Sequence, residues 1–323
     1  MRKAIKIWLI VAAALILIGG MIFVGVMSLM EWNFMNLSTD KVVENEHEIS
    51  ADLKNIIINS TTSDIKILPS NDEKIRIKCR ETKKLEHEVY AINDTLEIVL
   101  NDERKWYEHI QIGINLSIPT VTVYLPQKEY DSLTVKSSAS KVEVEKALCF
   151  GNINIEVSTG DVDCDASVKE SLKIKASTGD IDVENASVGS LELSASTGKI
   201  TASKIDCEGD VNVSVSMGKV TLSDIRCNNL ISTGDTSDIT LINVVAAEKF
   251  DINRSTGDVR LEGCDASDIF IVTDTGRVSG SLLSSKIFVT KTDMGDIDVP
   301  YSDGDGRCEI KTDTGDIRIT VQK

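Results

Sequence analysis

Ser177-Thr178-Gly179 is followed nineteen residues later by Ser196-Thr197-Gly198, and no other property of the chain restricts its fold so tightly. Aligned on the third residue of this signature, the sequence gives Gly160, Gly179, Gly198, Gly218, Ser237, Gly257, Gly276, Gly295 and Gly315 at steps of 19 or 20 residues, and Ser140 extends the series backwards. Two positions after each marker stands an aliphatic residue, from Val142 and Val162 through Ile181 and Ile200 to Ile297 and Ile317. Four positions after it the residue is apolar again, with Gly280 as the exception. Such period-two alternation marks a strand with one buried face. A second alternating run precedes each marker, as in Leu172-Lys173-Ile174-Lys175-Ala176. One unit of strand, turn, strand, turn cannot bury its inner face alone, whereas equivalent units laid on one another build a continuous core. The marker glycine supplies the backbone freedom that a shared bend requires.

The fold class that follows is all-β: a β-solenoid, β-helix-like, of about ten 19–20-residue rungs over residues 140–323. A long antiparallel meander of hairpins would give the same period. The residue after the marker favours the solenoid, because Lys141, Asp161, Asp180, Lys199, Lys219, Asp238, Asp258, Arg277, Asp296 and Asp316 are all charged and would form a ladder on the outside of stacked parallel turns. At about 4.8 Å per rung the rod would be roughly 48 Å long. Residues 31–139 do not repeat cleanly; their strand-like runs at 55–59, 64–68, 74–78 and 120–124 read as an irregular β region capping the first rung. At the other end the rung holding Ile319 is expected to be bare, and there a second copy can pair to give a homo-oligomer.

Residues 7–30 carry no charge and are long enough as a helix to cross a bilayer. Arg2, Lys3 and Lys6 precede this run, and Glu31 and Asp40 follow it, so residues 1–6 are expected in the cytoplasm and the remainder outside. A cleaved signal would have a shorter apolar stretch ending in an Ala-x-Ala-like site. Here Ala12-Ala13-Ala14 lies in mid-run, which favours an uncleaved single-pass signal anchor. The 51 acidic residues outnumber 35 basic ones, for a formal charge of -16. That balance excludes nucleic acid as a partner, since phosphate binding needs clustered Lys and Arg.

Reactive constellations are scarce. His47, His87 and His109 stand apart in the sequence, and no nucleophile elbow, H-E-x-x-H pair or phosphate-cradling loop is present, so no catalytic, cofactor or metal residue is assigned. Asp161, Asp163, Asp180 and Asp182 should project from one outer face, as should Asp296, Asp298 and Asp316. Stacked carboxylates repel unless compensated. Lys141, Lys199, Lys219 and Arg277 interleave with them, and weak Ca²⁺ binding is the alternative. The seven cysteines read as apolar filler, with Cys149, Cys207 and Cys227 in one file beside Val168 and Val188, and Cys164 in another with Val183 and Leu222. Cys207 and Cys227 would be neighbours, which leaves a disulfide open. No C-x-x-C pair exists, so zinc is not expected. Aromatics make up 4% of the chain, few for a sugar-stacking site.

The apolar N-terminal run, the segment Val121-Thr122-Val123-Tyr124-Leu125-Pro126, the stretch SLTVKSSASKVEV from Ser132 and the serial STGDI rungs together resemble the bacterial "putative adhesin" β-strand-repeat domains of unknown function, including LiaG-like envelope proteins. The resemblance implies a membrane-attached, extracytoplasmic β-repeat protein, associated in some members with envelope-stress genes, and no catalytic residues. The expected function is a non-enzymatic binding surface or scaffold for a protein or envelope component; the alternative is a cell-wall polysaccharide binder or a β-helix enzyme acting on polysaccharide.

Overall fold

The computed structural model describes residues 2–29, 32, 42–104, 118–301 and 304–322. Arg2–Leu29 is one α-helix. The rest of the described chain is built of strands whose register follows the sequence repeat. Val142, Val162, Ile181, Ile200 and Val220 pair in a single parallel file, one residue per turn. All five are fully buried. Leu133, Ile153, Leu172, Leu191 and Val211 make a second file on the adjoining side. A third inward run holds Ala186, Ile205 and Ile225, also buried. Each buried Val, Leu or Ile side chain among these contributes roughly 1.5–3 kcal/mol by leaving water. The parallel solenoid is therefore the architecture, and the meander is excluded.

The two recurring bends have different backbone solutions. At the marker bend Gly179, Gly198 and Gly218 have φ of 141°, 147° and 147°. A Cβ on Gly198 would overlap the carbonyl oxygen of Gly179 and lie 2.7 Å from its carbon. The other bend uses the left-handed region, with Asn185, Lys204, Asp224 and Asn243 all near φ 53–55°, a conformation whose cost a well-packed turn can bear.

The stack begins earlier than the sequence indicated. Asn55–Ser60 and Asp64–Ser70 lie parallel to Glu129–Ala139 and Val142–Val144, with Ile65 beside Val142 and Ile56 beside Leu133. Ser63 is thus the marker of a genuine rung, and the boundary expected at Ser140 is not a structural one. On the far side of this rung lie Thr95–Asp102 and Thr120–Pro126, again parallel. Only then does the pairing turn antiparallel: Ile75–Thr82 flanks Thr120–Pro126, Leu85–Ile92 flanks Thr95–Asp102, and Val42–Ile49 lies outside Ile75–Thr82. These antiparallel strands are the actual cap, and they cover an edge that would otherwise invite pairing.

The other end departs from chain order as well. Asp268–Thr275 pairs with Arg307–Thr314, and Ile287–Met294 pairs with the opposite edge of Arg307–Thr314. The Gly315 rung is inserted between the Gly276 and Gly295 rungs. Ile319 is consequently interior and 2% exposed, and the bare edge belongs to Ile287–Met294 and Ile297–Asp298. The expectation that Ile319 marks the open end is corrected accordingly.

One inward position breaks the apolar rule. Arg254 follows Phe250 and Ile252 in the inner file and is fully buried. Its guanidinium donates to Ser232 Oγ at 2.7 Å and to the Asn253 carbonyl at 2.8 Å, and Gly234 leaves the room it occupies. No carboxylate pairs with it among the described residues, and burial pulls its pKa down to about 10.

Candidate functional surface

The charged ladder after the marker is a hydrogen-bonding device. Asp161 Oδ1 accepts from the Asp180 amide at 2.8 Å, and Asp180 Oδ1 accepts from the Lys199 amide at 2.8 Å. Asp64, Asp238, Asp258 and Asp316 hold the amides of Lys141, Asp258, Arg277 and Asp296 in the same way. Each carboxylate caps the bend of the adjoining turn, which explains why Asp recurs there. Asp163 points along the next position, where Lys141 Nζ bridges it at 2.9 Å and Glu143 at 2.7 Å. These two carboxylates raise the Lys141 pKa, so the ammonium is retained. Lys141 therefore compensates Asp163, while Asp161 and Asp180 are occupied by backbone amides.

Beside this bend the serine column lines an open groove of about 600 Å³, bordered by Ser158, Ser177, Ser196, Lys136 and Lys175. Among the described residues no aromatic lines it. Hydroxyls and amines at the rung spacing offer repeated polar contacts to an extended partner, and nothing there activates a nucleophile.

Converging reactive groups occur instead inside the capped end. Ser63 Oγ lies 2.8 Å from His87 Nε2, and His87 Nδ1 lies 2.8 Å from Glu81 Oε2. Glu81 Oε2 also accepts from the His87 amide at 2.7 Å, and Asn45 donates to Oε1. Ser63 is 0% exposed, Glu81 2% and His87 5%, so no substrate reaches this Ser-His-Glu relay. Burial lowers the His87 pKa, against the opposing pull of Glu81. The relay locks the antiparallel cap to the Ser63 bend. His87 stands alone in the sequence because its partners are 24 and 6 residues away, Ser63 in a bend and Glu81 on Ile75–Thr82. His47 is half-buried in Val42–Ile49, and His109 lies outside the described residues.

All seven cysteines are free thiols, including Cys207 and Cys227. Cys164 stacks between Val144 and Val183 as expected. Cys149 does not join the inner file: it pairs with Ser167, while its neighbour Phe150 takes the buried place beside Val168. Burial pushes Cys164, Cys227 and Cys308 up to about 12, which makes them inert as nucleophiles.

An apolar helix long enough to cross a membrane, Ile7–Leu29, joined to a parallel β-solenoid with a polar grooved exterior defines a class of candidate membrane-anchored repeat proteins. The Toastrack DUF4097 family profile matches residues 53–214 and 199–323, and the chain belongs to that family. No curated protein matches it. Among solved structures it is similar to a "putative adhesin" from Bacteroides fragilis at 16% identity, with 88% of this chain and 98% of that one covered and a TM-score of 0.45. It is also similar to a "putative lipid binding protein" from Parabacteroides distasonis at 15% identity, with 86% and 96% covered and a TM-score of 0.47.

Proposed function

We propose that the protein is a single-pass membrane protein, with residues 1–6 cytoplasmic and the solenoid outside, whose rod presents a binding surface to a protein or envelope component. The observation that carries this reading is the location of its polar groups. The serines and lysines at the rung spacing face solvent along a groove, while the Ser-His-Glu relay is sealed in the core. A rigid file of hydroxyls and charges suits recognition of an extended partner, and the resemblance to envelope-stress-associated proteins gives the setting in which such a partner would be sought. The scarcity of aromatics on the groove weighs against polysaccharide as substrate.

Photo-crosslinking residues placed at Ser158, Ser177 and Ser196 in intact cells are expected to give adducts with one envelope component. The same residue at Asn243, on the other bend, is expected to give none. Adducts absent from all three groove positions would overturn the reading.

A second reading, homotypic pairing, draws on the bare rung, where Ile287 is 55% exposed, Met294 66% and Ile297 45%. With the opposite end capped, two such edges would close a dimer rather than a filament. Light scattering of the detergent-solubilised chain would then give a dimer that Ile297→Lys converts to monomer. A monomer before substitution removes this reading.

A further inference from the structure

Cys79, Glu81 and His87 bring a thiol, a carboxylate and an imidazole together beneath the cap. Cys79 and Glu81 are alternate residues on the buried face of Ile75–Thr82, and the tight turn through Lys83 and Lys84 returns His87 opposite them on Leu85–Ile92. Their donor atoms all lie within 4.8 Å of one another, the one such group among the described residues. All three residues are buried, at 1%, 2% and 5% exposure. We propose that they form a binding site for a divalent transition-metal ion of the Zn²⁺ class, which ties the two strands of the cap hairpin, Ile75–Thr82 and Leu85–Ile92, to each other.

Three features support the assignment. The donor set is one thiolate, one imidazole and one carboxylate, which suits a borderline ion such as Zn²⁺ or Co²⁺ and not Ca²⁺ or Mg²⁺. The charges also balance: thiolate and carboxylate together cancel a dication, so the loaded site is neutral and avoids the cost of burying a net charge. Finally, the surrounding partners are those a metal site needs. With Nδ1 on the metal, the ring proton resides on Nε2 and donates to Ser63 Oγ, 2.8 Å away, and Asn45 holds the second oxygen of Glu81. Loading exchanges one proton for the ion: the Cys79 S–H bond breaks, the S–metal bond forms, and the proton leaves to solvent.

The test uses the full chain in detergent, stripped with EDTA and dialysed against Zn²⁺ or Co²⁺. Elemental analysis is expected to find about one Zn²⁺ per chain, and the cobalt form is expected to show a near-ultraviolet thiolate-to-metal charge-transfer band. Cys79→Ser should abolish that band, whereas Cys308→Ser, a buried cysteine at the other end, should leave it intact. Ser63→Ala should weaken Zn²⁺ binding roughly 10- to 100-fold while keeping the band. Should the Cys79 variant fail to fold, the wild-type chain decides alone, because added Zn²⁺ must raise the melting temperature of the stripped protein. Substoichiometric zinc in the wild type, or a cobalt band that survives in Cys79→Ser, would overturn the proposal.

Discussion

Gly198→Ala is expected to destabilise the solenoid by about 4 kcal/mol or more, at the upper limit for a single methyl group. Two independent costs combine. The residue sits at φ 147°, where a side chain is strained, and the new Cβ would overlap the carbonyl oxygen of Gly179 in the adjoining turn. That oxygen cannot retreat freely, because the Gly179 amide donates to the Thr197 carbonyl at 3.0 Å and the Lys199 amide is held by Asp180 at 2.8 Å. Relief of the clash therefore requires two turns to part. Ser196→Ala, two residues away on the exposed face, removes a hydroxyl from the groove and should shift stability by no more than about 0.5 kcal/mol. Urea unfolding followed by far-ultraviolet circular dichroism reads both. A Gly198→Ala cost below about 1 kcal/mol would mean that the turns are not in contact at the marker.

Ile319→Lys should be comparably damaging, for a reason specific to the order of the last turns. Ile319 is 2% exposed and pairs with Gly280, and its neighbour Ile317 lies between Val278 and Ile297. An ammonium placed there has no partner and no route to water, which costs several kcal/mol. The Gly295 rung rests on the Gly315 rung, so both should detach, exposing the chain beyond about residue 283 to limited proteolysis. Ile297→Lys, on the open edge, should be tolerated within about 1 kcal/mol. Equal stability of the two variants would contradict the inserted order.

Much of this architecture was legible because a solenoid repeats its constraints. The Val162, Ile181 and Ile200 file and the marker bend are imposed by the need of every turn to match the next. The Ser63 rung carried a readable signal too: Thr62-Ser63-Asp64-Ile65 is the same four residues as Thr236-Ser237-Asp238-Ile239. The intervening 71–128 segment breaks the period and separates this rung from the regular series. The order of the final rungs had no signal, since the spacing of Gly276, Gly295 and Gly315 is the same whichever turn lies outermost. Arg254 was hidden for a different reason, as alternation places it inside but only Gly234 and Ser232 on the neighbouring turn make space for it. The Ser63, Glu81 and His87 relay depends on a hairpin folding back across a rung, and no sequence interval encodes that contact.

Paired cysteines at the outer ends of the last three turns test the stacking most directly. Arg318 lies beside both Ser279 and Asp298, and so separates them. The account predicts that a short thiol crosslinker joins Ser279→Cys to Arg318→Cys rapidly and leaves Ser279→Cys with Asp298→Cys unjoined, the native thiols being largely buried. Efficient linkage of positions 279 and 298 without linkage of 279 and 318 would show turns stacked in chain order, and would contradict it.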